Sequence, residues 1–188
     1  MKRSVLAAFS LLCVPLSALV PRAGAQSSFT LEQVMSAPFP SELTAAKSGN
    51  RVAWVFDREG RRNIWVAEGP EFQARQLTKY ATDDGQELSD LDFSADGNTL
   101  AYVRGGPKNT AGQVPNPTSN PAGAEQAVWT ISWTGGEPKR IDAGSSPRIS
   151  AQGMIAYVKD GQIWLVPLGE VEKPQQLVVR GRDVGQEW

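Results

Sequence analysis

From Leu91 to Val103 the chain reads Leu-Asp-Phe-Ser-Ala-Asp-Gly-Asn-Thr-Leu-Ala-Tyr-Val. Apolar and polar residues alternate over Leu91 to Ser94, the period of a half-buried strand. Asp96-Gly97 predicts a tight turn, because Gly tolerates positive φ and Asp bonds its own backbone. Thr99 to Val103 is rich in β-branched and aromatic residues and predicts a second strand. The phrase recurs at Ala46–Val55 and Ser150–Val158, each time as Gly followed by aliphatic-Ala-aromatic-Val.

A second phrase follows each copy: Asn63-Ile64-Trp65-Val66, Ala127-Val128-Trp129-Thr130 and Gln162-Ile163-Trp164-Leu165. A third closes each unit at Leu77, Ile141 and Leu177. The spacing from Trp to this aliphatic residue is 12, 12 and 13. Such constancy marks a repeated hairpin. Repeats of roughly 40–50 residues with four short strands each are the sequence sign of a β-propeller.

The expected fold is all-β: a partial propeller of about three four-stranded blades. The blades run over about 41–79, 89–143 and 145–179. In the first, strands are expected at Glu42–Ala46, Arg51–Asp57, Asn63–Glu68 and Gln73–Thr78. In the second, strand character resumes at Trp129–Trp133 after a long insertion. Residues 185–188, ending at Trp188, read as the opening strand of a fourth blade, so 41–188 is expected to be an incomplete ring. A propeller hides its sheet edges by closing, which makes a fragment of a longer protein the expectation. Residues 26–40 form a lead-in. There Thr30 and Gln33 make a capping box, with Leu31, Val34 and Met35 on one helical face. A short helix is predicted, stopped by Pro38-Phe39-Pro40 and packed against the propeller rim.

Residues 1–25 read as a secretory signal peptide: Lys2-Arg3, an apolar run from Val5 to Val20, then Ala23-Gly24-Ala25. Localisation is therefore expected to be secreted or periplasmic. Cys13, the single cysteine, lies in this segment, so the remainder has neither disulfide nor thiolate metal site. The formal charge is −1; without residues 1–25, 16 basic face 20 acidic residues, giving −4. That balance argues against nucleic acid or an anionic membrane as the partner.

The chain contains no histidine. Ser-His-Asp and Cys-His machinery cannot be built from it, and no G-x-S-x-G elbow or phosphate-binding glycine loop occurs. No catalytic residue, metal site or cofactor is expected. Trp65, Trp129 and Trp164 suit sugar stacking, but recurrence once per unit favours core packing. Arg58, Arg61 and Arg62 suit a carboxylate ligand or a solvated hairpin tip. Asp83-Asp84-Gly85 with Glu87 supplies oxygen ligands of the kind calcium takes, yet fits an acidic surface turn. Glu87 is a candidate partner for a substrate amine. Between Ala101 and Trp129 lie 28 positions, against 12 and 8 in the other units. The excess, residues 105–125, is functional or disordered in chains of this kind. Lys108 and Asn109 within it are candidate contacts for a ligand or a second domain.

The lead-in Ser36 to Leu43, the S-x-D-G-x-x-[LI]-A-[YW]-V blades, the acidic linker Asp83 to Leu88 and the insertion around Asn116 to Gln126 resemble the amino-terminal propeller of secreted bacterial prolyl oligopeptidase-family serine peptidases. The dipeptidyl peptidase and acylaminoacyl-peptidase branch is the nearest. The resemblance implies a propeller that covers an α/β-hydrolase domain, restricts access to its active site and helps bind the peptide substrate. The catalytic residues of that family lie in the hydrolase domain, outside these residues. The blade phrase is shared with the periplasmic TolB propeller, which implies the alternative of a non-enzymatic module binding a protein partner.

Overall fold

A computed structural model describes residues 29–119, 121, 123–169 and 173–177. The expected signal peptide and the expected opening strand at 185–188 lie outside the described residues. The predicted propeller fold is present. Its strands are β1 (Phe39–Ala45), β2 (Arg51–Arg58), β3 (Arg61–Glu68), β4 (Arg75–Gln76), β5 (Leu88–Phe93), β6 (Thr99–Arg104), β7 (Ala127–Ser132), β8 (Lys139–Ala143), β9 (Ser145–Ile149), β10 (Met154–Lys159), β11 (Gln162–Pro167) and β12 (Gln175–Gln176). They form three antiparallel sheets, each in chain order: β1 to β4, β5 to β8 and β9 to β12. The innermost strands β1, β5 and β9 adjoin one another in sequence.

Local chemistry explains the hairpins. Between β2 and β3 the turn is Glu59-Gly60, with φ 55 and 84. Between β10 and β11 it is Asp160-Gly161, with φ 50 and 69. Two residues at positive φ match the twist of the flanking strands, and Gly reaches this region without a Cβ penalty. Strand bounds shift by one to three residues from expectation, most notably at β1 and β4. β1 begins at Phe39 rather than Glu42, and its Phe39 and Pro40 pair with Asp57 and Phe56. β4 holds only Arg75–Gln76, because its ladder with β3 stops at two pairs.

The core lies between sheets. The first and second sheets bury Ala53, Val55, Ile64, Val66 and Leu77 against Leu91, Phe93, Leu100 and Tyr102. The second and third bury Ala101, Val103 and Val128 against Ile149, Ile155, Tyr157 and Val166. Leu100 and Tyr102 are fully enclosed; burying side chains of this size stabilises by roughly 1.5–3 kcal/mol each. At the rim, the Arg51 guanidinium lies 4.6 Å over the Trp133 ring. The same group donates to the Gly97 carbonyl at 2.9 Å and to Asn98 Oδ1 at 2.8 Å, tying the first sheet to the β5–β6 turn.

The helix forms at Leu31–Met35 (α1), with both bonds of the Thr30–Gln33 capping box. It does not pack against the rim as expected. Leu31 is 78% and Met35 70% exposed. An apolar stripe predicts a helical face but not the presence of a surface to receive it.

Candidate functional site

The described residues of the insertion after β6 are held by their own bonds and by their neighbours. Its base is pinned at both ends: the Gly105 amide donates to the Glu87 carbonyl at 2.9 Å, and the Gly144 amide to the Gln126 carbonyl at 3.0 Å. Gly105 has φ 107, and a Cβ there would meet the Glu125 carbonyl oxygen, so glycine is required. Further along, Pro115 lies beside Gly106, and Pro117 packs on Gly85 of the acidic linker. Glu125 pairs with Arg140 on β8. The hydrogen bond that Arg140 donates to Glu125, with the carboxylate's charge, holds the guanidinium above its ordinary pKa against the effect of burial.

The three candidate residues fare differently. Glu87 is exposed beside the insertion base; its carboxyl carbon lies 3.7 Å from where a Gly106 Cβ would stand. Lys108 reaches across to Asp160 of the third sheet at 3.4 Å, both side chains being more than half exposed. Asn109 is committed to its own turn: its carboxamide oxygen accepts from Ala111 and Gln113 amides, each at 2.9 Å. The structure thus places Glu87 and Lys108 at the foot of one loop, with the exposed Asn109 carboxamide bonded within its own turn.

Beneath the insertion lies a cavity of about 220 Å³, bounded by Asp84, Gln86, Arg104, Thr118, Glu125 and Trp129. Arg104 is its central cation. It pairs with Asp84 and lies 4.5 Å over the Tyr80 ring. Asp84 also accepts the Gln86 amide at 3.0 Å, and Asp83 the Gly85 amide at 3.1 Å. These carboxylates shape the linker turn. Among the described residues, no three His, Cys, Asp or Glu side chains are grouped to hold a metal ion.

Nearby hydroxyls are held neutral. The Tyr80 and Tyr102 hydroxyls share a 2.8 Å hydrogen bond. Burial pushes both phenols upward; Tyr80's charge adds to the rise at Tyr102. The Tyr157 hydroxyl donates to Asp142 at 2.8 Å, as does the Lys159 ammonium at 2.8 Å. Burial opposes ionisation of Asp142, but these two donors outweigh it and lower its pKa. Such groups order the seams between sheets and offer no activated nucleophile. The site presents an exposed carboxylate, an ammonium paired with Asp160 and a polar cavity.

The tryptophans are not core residues in the full sense. Trp129 and Trp164 are partly buried against the two inter-sheet clusters. Trp65 is half-buried and meets Phe56 edge-on at 5.6 Å, with Arg58 at 5.7 Å over its ring. Arg61 and Arg62 pair locally with Glu59 and Asp57, each at 3.2 Å. Sequence reading missed a polar seam on the inner strands. The Glu42 carboxylate accepts the Asp90 amide at 2.9 Å, and the Asp90 carboxylate the Ser146 amide at 3.2 Å. Asp92 accepts the Ile149 amide at 2.6 Å. The available signal was a recurrent pair, Ser41-Glu42, Ser89-Asp90 and Ser145-Ser146, at equal distance before each blade phrase.

No protein-family model matches the chain, and no curated protein matches it in sequence. Among solved structures it is similar to a prolyl endopeptidase described in terms of inter-domain dynamics in catalysis and specificity. The TM-score is 0.52 and the identity 16%, over 76% of this chain. The matched stretch spans 22% of that protein, so the likeness is one of fold: a propeller like part of that of a prolyl endopeptidase.

Proposed function

We infer that the chain is the amino-terminal part of the propeller of a secreted serine peptidase of the dipeptidyl peptidase and acylaminoacyl-peptidase kind. The observation that carries this reading is the similarity of its three-sheet array to part of a prolyl endopeptidase. In this role the propeller gates access to a hydrolase domain outside these residues and helps bind peptide. Glu87, exposed at the insertion base, is the group we assign to a peptide amine. Lys108, tethered only by an exposed ion pair, is the group we assign to a carboxylate or to the second domain. Secretion rests on residues 1–25, and peptide rather than nucleic acid or lipid on the acidic balance of the remainder.

The coding sequence beyond Trp188 is the test. A hydrolase domain with a G-x-S-x-G elbow and a late histidine supports the peptidase; a stop after further blades overturns it in favour of a binding propeller. In parallel, the chain alone should show no turnover of aminoacyl, dipeptidyl or prolyl substrates. Hydrolysis by the pure chain would reject the assignment.

A further inference from the structure

Each sheet carries one tryptophan at the same register: Trp65 on β3, Trp129 on β7 and Trp164 on β11. Two of these rings are capped by the chain's own cations. The Arg58 guanidinium lies 5.7 Å over Trp65, and the Lys159 ammonium 5.1 Å over Trp164. The middle copy differs. Arg104 stands where the third sheet has Lys159, two residues after the tyrosine that pairs with the tryptophan. Arg104, however, turns to the Tyr80 ring, 4.5 Å away, and to the Asp84 carboxylate. Among the described residues no cation lies over Trp129. Trp129 packs against the cluster between the first and second sheets and borders the cavity of about 220 Å³ under the insertion.

The charged groups around that cavity are already paired. Asp84 is matched by Arg104, and Glu125 by Arg140. The Asp84 carboxylate also accepts the Gln86 amide at 3.0 Å, and the Glu125 carboxylate accepts Arg140 Nε at 2.9 Å. An ion entering this space would have to separate a pair; a neutral ligand would not. A carboxylate or guanidinium paired along one edge keeps lone pairs or N–H groups along another. Thr118 adds a hydroxyl to the wall and Gln86 a carboxamide. Planar polar groups set around an indole suit a ligand with hydroxyls at its edge and C–H groups on its face.

We propose that this cavity binds one neutral sugar ring, its face against Trp129 and its hydroxyls on Asp84, Arg104 and Glu125. The space is smaller than the roughly 300–1,000 Å³ of pockets that enclose drug-sized ligands, so it takes a single ring. Trp65 and Trp164, capped by Arg58 and Lys159, offer no equivalent site. The proposal rests on the cavity and not on the peptidase reading, so either fails alone: the coding sequence beyond Trp188 decides one, and sugar binding by this chain the other.

Calorimetric titration of the full chain with D-glucose, D-galactose, D-mannose and N-acetyl-D-glucosamine tests it. At least one should bind saturably with a Kd on the order of 1 mM, the scale for a ligand of so few atoms. Methyl glycosides of the ring that binds separate the two sources: a free sugar site needs the anomeric hydroxyl, and a site for the end of a glycan does not. Trp129→Leu should weaken binding by more than about tenfold, and Trp65→Leu should leave it unchanged. Because Trp129 also packs on the core, Thr118→Phe is the second variant. From its exposed loop position the new ring fills the cavity and should abolish binding with the far-UV spectrum intact. The proposal is overturned if none of these sugars binds below about 50 mM, if Trp65→Leu weakens binding as much as Trp129→Leu, or if Thr118→Phe binds as tightly as the unmodified chain. Tighter binding of sodium acetate or methylammonium chloride than of any sugar, lost in Thr118→Phe, also overturns it, because the wall would then carry an unpaired charge.

Discussion

Asp92 offers the sharpest test of how the sheets are joined. Its carboxylate accepts the Ile149 amide at 2.6 Å, across the boundary between β5 and β9. Ile149 is 6% exposed, so little water reaches that amide when the acceptor is removed. Asp92→Ala leaves a buried donor unmet, a loss of about 1–3 kcal/mol. Asp92→Asn keeps an oxygen acceptor without the charge and should lose about half as much. For a chain of this size the alanine variant should melt roughly 2–12 °C lower. Urea unfolding should show a lower midpoint at unchanged slope, since the surface exposed on unfolding is the same. Asp90→Ala acts on the same strand through Ser146, so the double variant should fall short of the sum. A change under about 0.5 kcal/mol for Asp92→Ala would refute the reasoning, placing that contact among surface substitutions of no consequence.

The remaining expectations are separate in mechanism. Gly105→Ala sets a Cβ against the Glu125 carbonyl and 2.9 Å from the Gln126 Cα, both backbone atoms. It should cost more than about 2 kcal/mol, whereas Gly153→Ala, at φ 74 with open space around it, should cost only its backbone strain; equal losses in urea titrations would contradict the clash. The Tyr102 phenol is raised by burial above its unfolded value near 10. The stability it contributes is complete below about pH 10 and lost as pH rises beyond it, and Tyr102→Phe should flatten the fall in Tm between pH 9 and about 11. Asp142 runs the other way: its lowered pKa contributes stability above about pH 4 that is lost as pH falls through the folded value, so Asp142→Asn should blunt acid unfolding. Amide exchange should be slowest at Leu100 to Val103 and Val128 to Ile131, in the sheet covered on both faces; faster exchange there than in β1 would refute that placement.

The repeat was legible because burial writes it. Trp65, Trp129 and Trp164 share one register, each paired across the ladder with the aromatic of the preceding strand: Trp54, Tyr102 and Tyr157. What repetition cannot carry is the difference between copies. Trp129 and Trp164 pack against the inter-sheet clusters and Trp65 packs on Phe56, though all three are partly buried, so one pattern meets different partners. The helix shows the same limit. Its capping box is a local bond pattern and appears as expected, but the partner of its apolar stripe is a tertiary matter. Asn109 looked free for a ligand, yet Asn readily bonds backbone two residues on, as it does here. The inner-strand carboxylates escaped notice because Asp90-Leu91-Asp92-Phe93 reads as plain alternation. Only the left-handed φ at Glu42 and Asp90 turns those side chains toward the next sheet.

The position of the insertion follows from the same asymmetry. Residues 105–125 leave from β6 and return to β7, the central strands of the sheet that is covered on both sides. Val103 and Val128, at the last pair but one before the loop, are fully enclosed. A long excursion costs little once its ends are fixed, because closure entropy grows only with the logarithm of loop length. The two amide bonds at Gly105 and Gly144 fix those ends to the neighbouring strands. A loop so held can change composition without disturbing the ladder beneath it, which is the condition under which loops acquire binding roles. In the first sheet the corresponding pair, Val55 and Ile64, is equally enclosed, while Trp54 and Phe56 on the opposite face are half-buried. The middle sheet, covered on both sides, thus fixes the foot of the loop, where Glu87 precedes β5 and Lys108 follows β6.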